Sequence, residues 1–295
     1  MAFTEMVSTK GLLFESKNTV MLLNTDFSNG APGSSRPTTN RASRPAPHAL
    51  TAAQIFGSDP YEMRKVCESR ELQKFPLIDI NMGCPVKKIF NNNEGCALMG
   101  DIPLASKIVS ECAESGKLIS VKFRLGLDKN KIIAEDFAKM CEQSGAAMIT
   151  LHARTRDDNA SAPDYNEIEK VKNAVKIPVI GNGGIYNAAD AERMLETGCD
   201  GIMLARGVLF NPFLINEVLK TNPPMTLYEF ITEQVRMLKT VHDDKYVAVN
   251  FRKCIANYLR GKKDNKIIKE KIMKLENTDE MLDILKEYFL SSNNK

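Results

Sequence analysis

The sequence predicts an α/β protein built from repeated βα units, followed by a helical C-terminal part. Short apolar runs alternate with segments of helical periodicity as far as about residue 212, and from about residue 225 onward the pattern is helical alone. A helix is predicted from about residue 60 to residue 72, and residues 266–289 are predicted as a lysine-rich amphipathic stretch. The 295 residues are enough for one large domain, or for a barrel with a small appendage.

Six apolar runs are predicted as strands, and all but the last end in or beside a polar residue. The runs are residues 53–57 (AQIFG), 77–81 (LIDIN), 119–124 (ISVKFR), 148–152 (MITLH), 178–182 (PVIGN) and 201–205 (GIMLA). The polar residues are Gln54, Asn81, Lys122 with Arg124, His152 and Asn182. Each one alone is explained by a satisfied hydrogen bond at a strand end. Together they favour a shared polar ligand, because burying them unpaired is costly and active sites lie at the carboxyl ends of parallel strands.

Residues 78–85 (IDINMGCP) join a predicted strand to a thiol in a glycine-containing turn. We expect Cys84 at the carboxyl edge of the strand, with Gly83 in an unusual backbone conformation and Pro85 ending the ladder. Lys87 and Lys88 follow closely and would favour a reactive thiolate. The alternative for Cys84 is a small buried hydrophobic residue.

Two glycine-containing segments predict a phosphate site. Residues 181–185 (GNGGI) follow one strand and precede a helix around residues 188–196, and residues 205–207 (ARG) follow the last strand. In (β/α)8 barrels the loops after strands seven and eight commonly bind phosphate, and Arg206 would add a cation with fork geometry. Glycines also serve plain turns, but the order of these two segments along the repeat strengthens the prediction of a phosphate site in a (β/α)8-type barrel.

The composition is that of an ordinary soluble protein. It is 43% hydrophobic and 26% charged with a formal net charge of +3, so a nucleic-acid surface would need local clustering of basic residues. The seven cysteines lack paired spacing, which indicates a reducing compartment and no zinc site. Because there is no long apolar run and no signal-like N-terminus, we expect a cytoplasmic protein without a membrane segment.

Taken together, these motifs resemble the tRNA-dihydrouridine synthase family, flavin enzymes on a TIM barrel that reduce uridine in tRNA. The matching blocks occur in the family's order at residues 4–8 (TEMVS), 54–57 (QIFG), 79–88 (DINMGCPVKK), 121–126 (VKFRLG), 152–156 (HARTR), 180–185 (IGNGGI) and 201–207 (GIMLARG). The resemblance implies an FMN-binding TIM-barrel domain at residues 1–212 and a helical tRNA-binding domain at residues 213–295. It implies no obligatory protein partner.

The resemblance also implies a role for each polar residue. Cys84 would be the general acid, and Asn81 and Arg124 would hydrogen-bond the uracil. FMN would be held by Gln54, Lys122, His152 and Asn182, and its phosphate by Gly183, Gly184, Ala205, Arg206 and Gly207. NADPH would reduce the flavin, and the C5=C6 bond of a uridine in tRNA would then be reduced to 5,6-dihydrouridine.

Two departures from the family pattern matter for this reading. Family members have a barrel strand before the TEM block, whereas only residues 1–3 precede it here, so we expect a barrel that is incomplete at the N-terminus. Residues 24–48, rich in Ser, Pro, Arg, Asn and Gly, are expected to form a flexible loop. The alternatives are therefore a truncated, catalytically impaired RNA-binding remnant, or another FMN-dependent barrel oxidoreductase that acts on a small molecule.

A local basic cluster in the C-terminal part points to RNA. It consists of Lys253, Arg260, Lys262 and Lys263. A solvated helix face is the ordinary explanation for such charge, but phosphate contact is favoured when an RNA-modifying barrel precedes it.

Overall fold

The computed structural model describes residues 1–14, 50–158 and 160–293, together with the single residues 16, 19 and 23. Seven strands in this part of the chain form one parallel sheet whose order follows the chain. They are β1 (Ala2–Ser8), β2 (Thr51–Phe56), β3 (Leu77–Met82), β4 (Leu118–Arg124), β5 (Met148–His152), β6 (Val179–Asn182) and β7 (Gly201–Met203). The predicted class of repeated parallel βα units is confirmed.

Helices connect the successive strands. They are α1 (Thr9–Leu13), α2 (Pro60–Glu68), α3 (Lys87–Asn91), α4 (Ile102–Ala113), α5 (Ala134–Gln143), α6 (Tyr165–Ala174) and α7 (Ala188–Leu195). α2 begins where the sequence places a cap, since the Asp59 carboxylate accepts from the backbone N–H groups of Tyr61 and Glu62 and Pro60 occupies the first turn. The helix predicted for residues 60–72 ends at Glu68, and a 3-10 turn covers Arg70–Leu72.

β3 is the most deeply buried strand of the sheet. All six of its residues are buried, which is expected of a central parallel strand covered on both faces. Ile78 and Ile80 are fully buried on one face, and Asp79 and Asn81, which alternate with them, lie on the other face. This alternation places polar side chains in the interior, where they can form a binding site.

β1 and β7 are the two edges of the sheet. Among the residues described, the sheet has one strand fewer than a closed eight-stranded barrel, in agreement with the expectation from the sequence. β1 pairs with β2 along its length, with an irregularity between Phe3 and Met6. The loop expected at residues 24–48 lies outside the described residues.

The chain divides into two compact units. The first comprises residues 1–184 and 193–203, and the second comprises residues 185–192 and 204–295. The helices that follow β7 are α8 (Arg206–Phe210), α9 (Leu214–Val218), α10 (Leu227–Leu238), α11 (Asp244–Tyr258), α12 (Asn265–Ile272) and α13 (Thr278–Asn293). The functional division into residues 1–212 and 213–295 stays a prediction.

The second unit has an apolar core of its own. Ile231 and Val235 of α10 pack in one cluster with Phe251 and Ile255 of α11 and with Leu285 of α13. Such spacings of three and four residues are those of amphipathic helices. No helix in the described ranges combines the length and the apolar character needed to cross a membrane.

The amphipathic stretch expected at residues 266–289 is divided between α12 and α13. The division has a local cause at the start of α13, where the backbone N–H and the hydroxyl of Thr278 both bind the Asp244 carboxylate. Lys239 forms an ion pair with the same carboxylate at 2.7 Å. These contacts fix the beginning of α13 against α11, because a helix N-terminus offers free N–H donors.

Candidate active site

The polar residues of the predicted site lie on one face of the sheet. Residues paired in register on adjacent parallel strands point to the same side, and so do residues two apart on one strand. Gln54 pairs with Asp79, Asn81 with Lys122, and both Arg124 and Asn182 pair with His152. The face therefore carries Gln54, Asp79, Asn81, Ser120, Lys122, Arg124, His152 and Asn182, which includes every strand-end residue predicted from the sequence.

The segment after β3 is a tight turn organised by Asn81. Its Oδ1 accepts hydrogen bonds from the backbone N–H groups of Gly83 at 3.1 Å and Cys84 at 2.9 Å. This is the local side-chain-to-backbone bonding that makes Asn favourable in turns. The Cys84 carbonyl accepts from the backbone N–H of Cys96 at 3.1 Å. Cys84 is thus held on both sides, just beyond the carboxyl end of β3, and is 8% exposed.

The expectation that Gly83 adopts an unusual backbone conformation is wrong. Gly83 does not have a positive φ, and an added Cβ there would lie at 3.4 Å from the Lys122 carbonyl oxygen, an ordinary contact distance. The glycine with a left-handed conformation in this region is Gly95, at φ +61°. A Cβ on Gly95 would come within 2.9 Å of the Cys84 carbonyl oxygen. The close packing behind Cys84 thus depends on a glycine that is eleven residues further along the chain.

A buried acid, Asp79, lies at the centre of the polar face. Ser120 Oγ donates to its Oδ1 and Gln54 Nε2 donates to its Oδ2, each at 2.6 Å. Burial raises the pKa of Asp79, while these two hydrogen bonds and the positive charge of Lys122 act in the opposite direction. Gln54 links Asp79 to Asn81, because its Oε1 accepts a hydrogen bond from Asn81 Nδ2 at 2.9 Å.

Lys122 is the half-buried cation of this face. Burial lowers its pKa to about 8, although the Asp79 carboxylate favours the charged form. The nearby positive charge of Arg124 lowers the pKa of Lys122 further. The ammonium group forms no hydrogen bond or ion pair with the side chains described here, so its donors are available to a ligand.

Arg124 connects two loops at the carboxyl edge. Its Nε donates to the Gly83 carbonyl oxygen at 2.6 Å, and its Nη1 donates to the Thr155 carbonyl oxygen at 3.1 Å. The side chain is buried, and a planar guanidinium with fixed donors is well suited to bridging two carbonyl groups. Arg124 therefore supports the Cys84 turn, whatever part it takes in substrate binding.

His152, Asn182 and Gly183 lie close together at the ends of β5 and β6. Asn182 Nδ2 donates to the Met203 carbonyl oxygen at 2.8 Å, which links β6 to β7. Gly183 has a φ of +118°, and an added Cβ would come within 2.7 Å of His152 Cδ2. A side chain is thus excluded here both by backbone conformation and by the imidazole ring. Gly184 follows Gly183 and belongs to the same unit.

Ala205, Arg206 and Gly207 belong to the second unit, at the beginning of α8. Ala205 and Arg206 are exposed. The Arg206 guanidinium lies 5.9 Å from the centre of the Tyr186 ring. Gly207 is buried, and an added Cβ would come within 2.3 Å of the Ile185 carbonyl oxygen, so its visible role is close packing. Their binding of phosphate stays a prediction.

Sequence reasoning missed Asp79 and Ser120 as members of the site. The signal for Asp79 was present, since it precedes Asn81 by two residues in a predicted strand and must share its face. Ser120 stands in the same relation to Lys122. Arg154 was also missed, and its guanidinium lies 3.4 Å from His152 Nε2 and donates to the Ser161 carbonyl oxygen at 2.6 Å.

The arrangement supplies three kinds of chemistry at one edge of the sheet. Cys84 offers a proton or a nucleophile, Lys122 offers a positive charge at neutral pH, and the amides of Gln54 and Asn81 offer donors and acceptors in fixed directions. Such convergence of polar groups at the carboxyl ends of parallel strands is typical of sites for small cofactors and substrates.

Comparison with known proteins shows the family to which this chain belongs. The family model described as dihydrouridine synthase matches residues 1–294. The chain is 42% identical to a probable tRNA-dihydrouridine synthase of Rickettsia conorii over 168 residues, covering 56% of this chain and 51% of that protein. In that alignment, and in those with several close relatives, it spans about half the length of the curated proteins it matches.

Two other relatives match over a longer stretch. The chain is 31% identical to a probable tRNA-dihydrouridine synthase of Aquifex aeolicus, covering 79% of this chain and 77% of that protein. It is 31% identical to tRNA-dihydrouridine synthase B of Escherichia coli, covering 81% of this chain and 78% of that protein. With the family model matching almost the whole sequence, the chain belongs to the dihydrouridine synthase family.

Proposed function

We propose that this protein is a tRNA-dihydrouridine synthase, which reduces the C5=C6 bond of a uridine in tRNA to 5,6-dihydrouridine with FMN as cofactor and NADPH as reductant. Family membership supports the reaction type. The structural observation that carries the proposal is the single polar face on which Cys84, Lys122 and the Gln54 and Asn81 amides are brought together.

The donor set of this face fits a flavin ring. An isoalloxazine presents carbonyl oxygens and ring nitrogens along its edge, and Gln54, Lys122, His152 and Asn182 are the residues that would hold it. Lys122 is suited to balance negative charge on the reduced ring, because it is half-buried and has no hydrogen-bond partner in the described part of the chain. Bound FMN, reduced by NADPH, would supply a hydride to C6 of the uracil.

Cys84 would supply the proton that the reaction requires at C5. In this step the Sγ–H bond breaks and a C5–H bond forms, and the thiolate regains its proton from solvent. General acids of this kind must be positioned within hydrogen-bond reach of the atom they protonate. The backbone on both sides of Cys84 is fixed, by Asn81 Oδ1 on one side and by the Cys96 N–H on the other.

Asn81 and Arg124 are the proposed contacts to the uracil. Asn81 already uses Oδ1 for two backbone N–H groups, and its Nδ2 donates to Gln54 Oε1 at 2.9 Å and to Met6 Sδ at 2.8 Å. Met6 is the weaker of these two acceptors, so a uracil carbonyl would replace it at Nδ2. Since the edges of a uracil are reached only when the base leaves the RNA stack, the target uridine would be extruded into the site.

The FMN phosphate would be received by Gly183, Gly184, Ala205, Arg206 and Gly207. Gly183 brings the backbone close to His152 without an intervening side chain. Arg206 is exposed and carries a planar guanidinium, which binds phosphate by paired N–H donors.

The tRNA would contact the basic residues of the second unit. Lys253, Arg260, Lys262 and Lys263 are all exposed. The Arg260 guanidinium lies over the Phe210 ring at 4.4 Å, which holds one member of the cluster near α8. Contacts of Lys and Arg to phosphates would give affinity that falls with salt concentration.

The test begins with the absorption spectrum of the purified chain and its reconstitution with FMN. We expect a bound flavin that NADPH reduces and that unmodified tRNA then reoxidises, with dihydrouridine detected in the tRNA by mass spectrometry. A colourless chain that cannot be reconstituted would overturn the enzyme assignment. A flavin that is reduced by NADPH but never reoxidised by tRNA would instead favour a small-molecule substrate.

A further inference from the structure

Asp79 takes no part in the proposed proton transfer, yet the polar face is built around it. It is 0% exposed, within a strand whose six residues are all buried. Ser120 and Gln54 donate hydrogen bonds of 2.6 Å to its two oxygens. A buried carboxylate is costly unless such donors accompany it. An apolar residue would fill the same space without this cost, so packing alone does not account for Asp79.

The direction of the neighbouring hydrogen bonds is set by Asp79. Asp79 Oδ2 accepts from the Gln54 NH2 group, so Gln54 presents its carbonyl oxygen to Asn81. Asn81 must in turn present its NH2 group to Gln54, which leaves Oδ1 for the N–H groups of Gly83 and Cys84. One directed chain therefore runs from the Cys84 backbone through two amides to the carboxylate.

Neither side-chain amide can rotate by half a turn, exchanging its oxygen and NH2 group, without breaking this chain of hydrogen bonds. The Cys84 N–H can only donate, and both Asp79 oxygens act as acceptors, from Ser120 Oγ and from Gln54 Nε2, so both ends are fixed. A reversed Gln54 would set a carbonyl oxygen against a carboxylate oxygen, and a reversed Asn81 would set an NH2 group against two N–H groups. The two fixed ends thus determine the orientation of both amides.

We propose that Asp79 is a positioning residue, which fixes the Gln54 and Asn81 amides and thereby holds the turn that presents Cys84. Its effect on the turn is a property of the polypeptide alone, whereas its consequence for uridine reduction rests on the proposed function. Burial raises the pKa of Asp79, and the hydrogen bonds from Ser120 and Gln54 and the positive charge of Lys122 offset part of that effect. The negative charge of Asp79 in turn favours the protonated form of the half-buried Lys122.

The effect on the turn is measured in the flavin-free protein as the alkylation rate of Cys84, followed by mass spectrometry of its peptide. Asp79→Ala leaves the Gln54 NH2 group without its acceptor, so the chain to Cys84 loosens. We expect alkylation of Cys84 to become roughly 5- to 100-fold faster, as for the loss of one buried hydrogen bond. Asp79→Asn keeps an acceptor for Gln54 and offers its NH2 group to the Ser120 hydroxyl, so its rate should stay within about twofold of the wild type.

Two further variants separate positioning from general stability. Gln54→Met is nearly isosteric but has no amide, so it interrupts the same chain and should accelerate alkylation even if Asp79→Ala fails to fold. Asp244→Asn is the matched control, because Asp244 also binds a hydroxyl and a lysine but lies in the second unit. It should lower the melting temperature and leave the Cys84 rate unchanged.

The inference is overturned if Cys84 in a folded Asp79→Ala or Gln54→Met protein is alkylated at the wild-type rate. It is also overturned if Asp79→Asn accelerates the reaction as much as Gln54→Met does, or if Asp244→Asn accelerates it equally. FMN binding and tRNA reduction are measured separately on the wild type. A wild-type protein that does not bind FMN or reduce tRNA would overturn the proposed function but would leave the alkylation result valid. Unchanged alkylation rates in the variants would overturn the role of Asp79 but would leave the proposed function valid.

Discussion

Replacing Lys122 by Met should stabilise the flavin-free protein and weaken its binding of FMN. Burial lowers the pKa of Lys122 from its ordinary 10.5 to about 8, against the attraction of Asp79 and with the added repulsion of Arg124. Cys84 is the remaining titratable neighbour, and its negative form would raise the pKa. The folded protein thus binds this proton less tightly than the unfolded chain does, which means that the charged lysine opposes folding.

The magnitude follows from the two pKa values. Each tenfold change in proton affinity is about 1.4 kcal/mol, so the charged lysine costs roughly 2–3 kcal/mol after allowance for solvent screening of a half-buried group. Below pH 8 the residue is protonated in both states and this cost is complete. Between pH 8 and 10.5 the unfolded chain holds the proton and the folded one does not, so the free energy of unfolding rises with pH.

Urea unfolding of flavin-free wild type and Lys122→Met at pH 7 and pH 9.5 measures the difference. We expect the variant to be more stable by roughly 2–3 kcal/mol at pH 7 and by about 1 kcal/mol at pH 9.5. Lys131→Met removes an exposed lysine of the same unit and should change stability little at either pH. FMN titrations at pH 7 should show weaker binding by Lys122→Met. A variant advantage that does not shrink between the two pH values would refute the reasoning.

Three further substitutions test separate parts of the site. Cys84→Ala should leave FMN binding and flavin reduction largely intact and slow single-turnover reduction of tRNA by ~10²–10⁴-fold, so an unchanged rate would rule Cys84 out as the acid. Arg206→Ala should weaken FMN more than riboflavin, which has no phosphate; equal weakening of the two would place Arg206 away from the phosphate. Gly183→Ala should lower the free energy of unfolding by more than Gly198→Ala, by about 1–3 kcal/mol in urea titrations, because only the added Cβ at Gly183 meets His152. Equal losses would show that the positive φ common to both glycines, and not the contact with His152, decides the outcome.

Six of the seven described strands could be predicted because their signals are local, whereas β1 (Ala2–Ser8) was not among the predicted runs. A run such as residues 148–152 is apolar, bounded and β-rich, and β5 has those same bounds. Polar residues at the strand ends could also be assigned to one edge, since parallel strands share their direction. The helix predicted to end at residue 72 stops at Glu68 instead, because the last turn tightens into a 3-10 segment, a detail that periodicity does not reveal.

The sequence by itself determined the class of fold, the position of Cys84 after β3 and the strand-end residues of the polar face, because hydrophobic periodicity and turn chemistry act over a few residues. The hydrogen bonds and packing contacts between those residues were decided by the tertiary structure alone. It placed Gly95 rather than Gly83 in the left-handed conformation behind Cys84, and it bound Arg124 to the Gly83 carbonyl oxygen. It also set the direction of the hydrogen bonds that end at Asp79. These contacts join residues between 11 and 41 positions apart, and their geometry depends on strand register and burial, which no local pattern encodes.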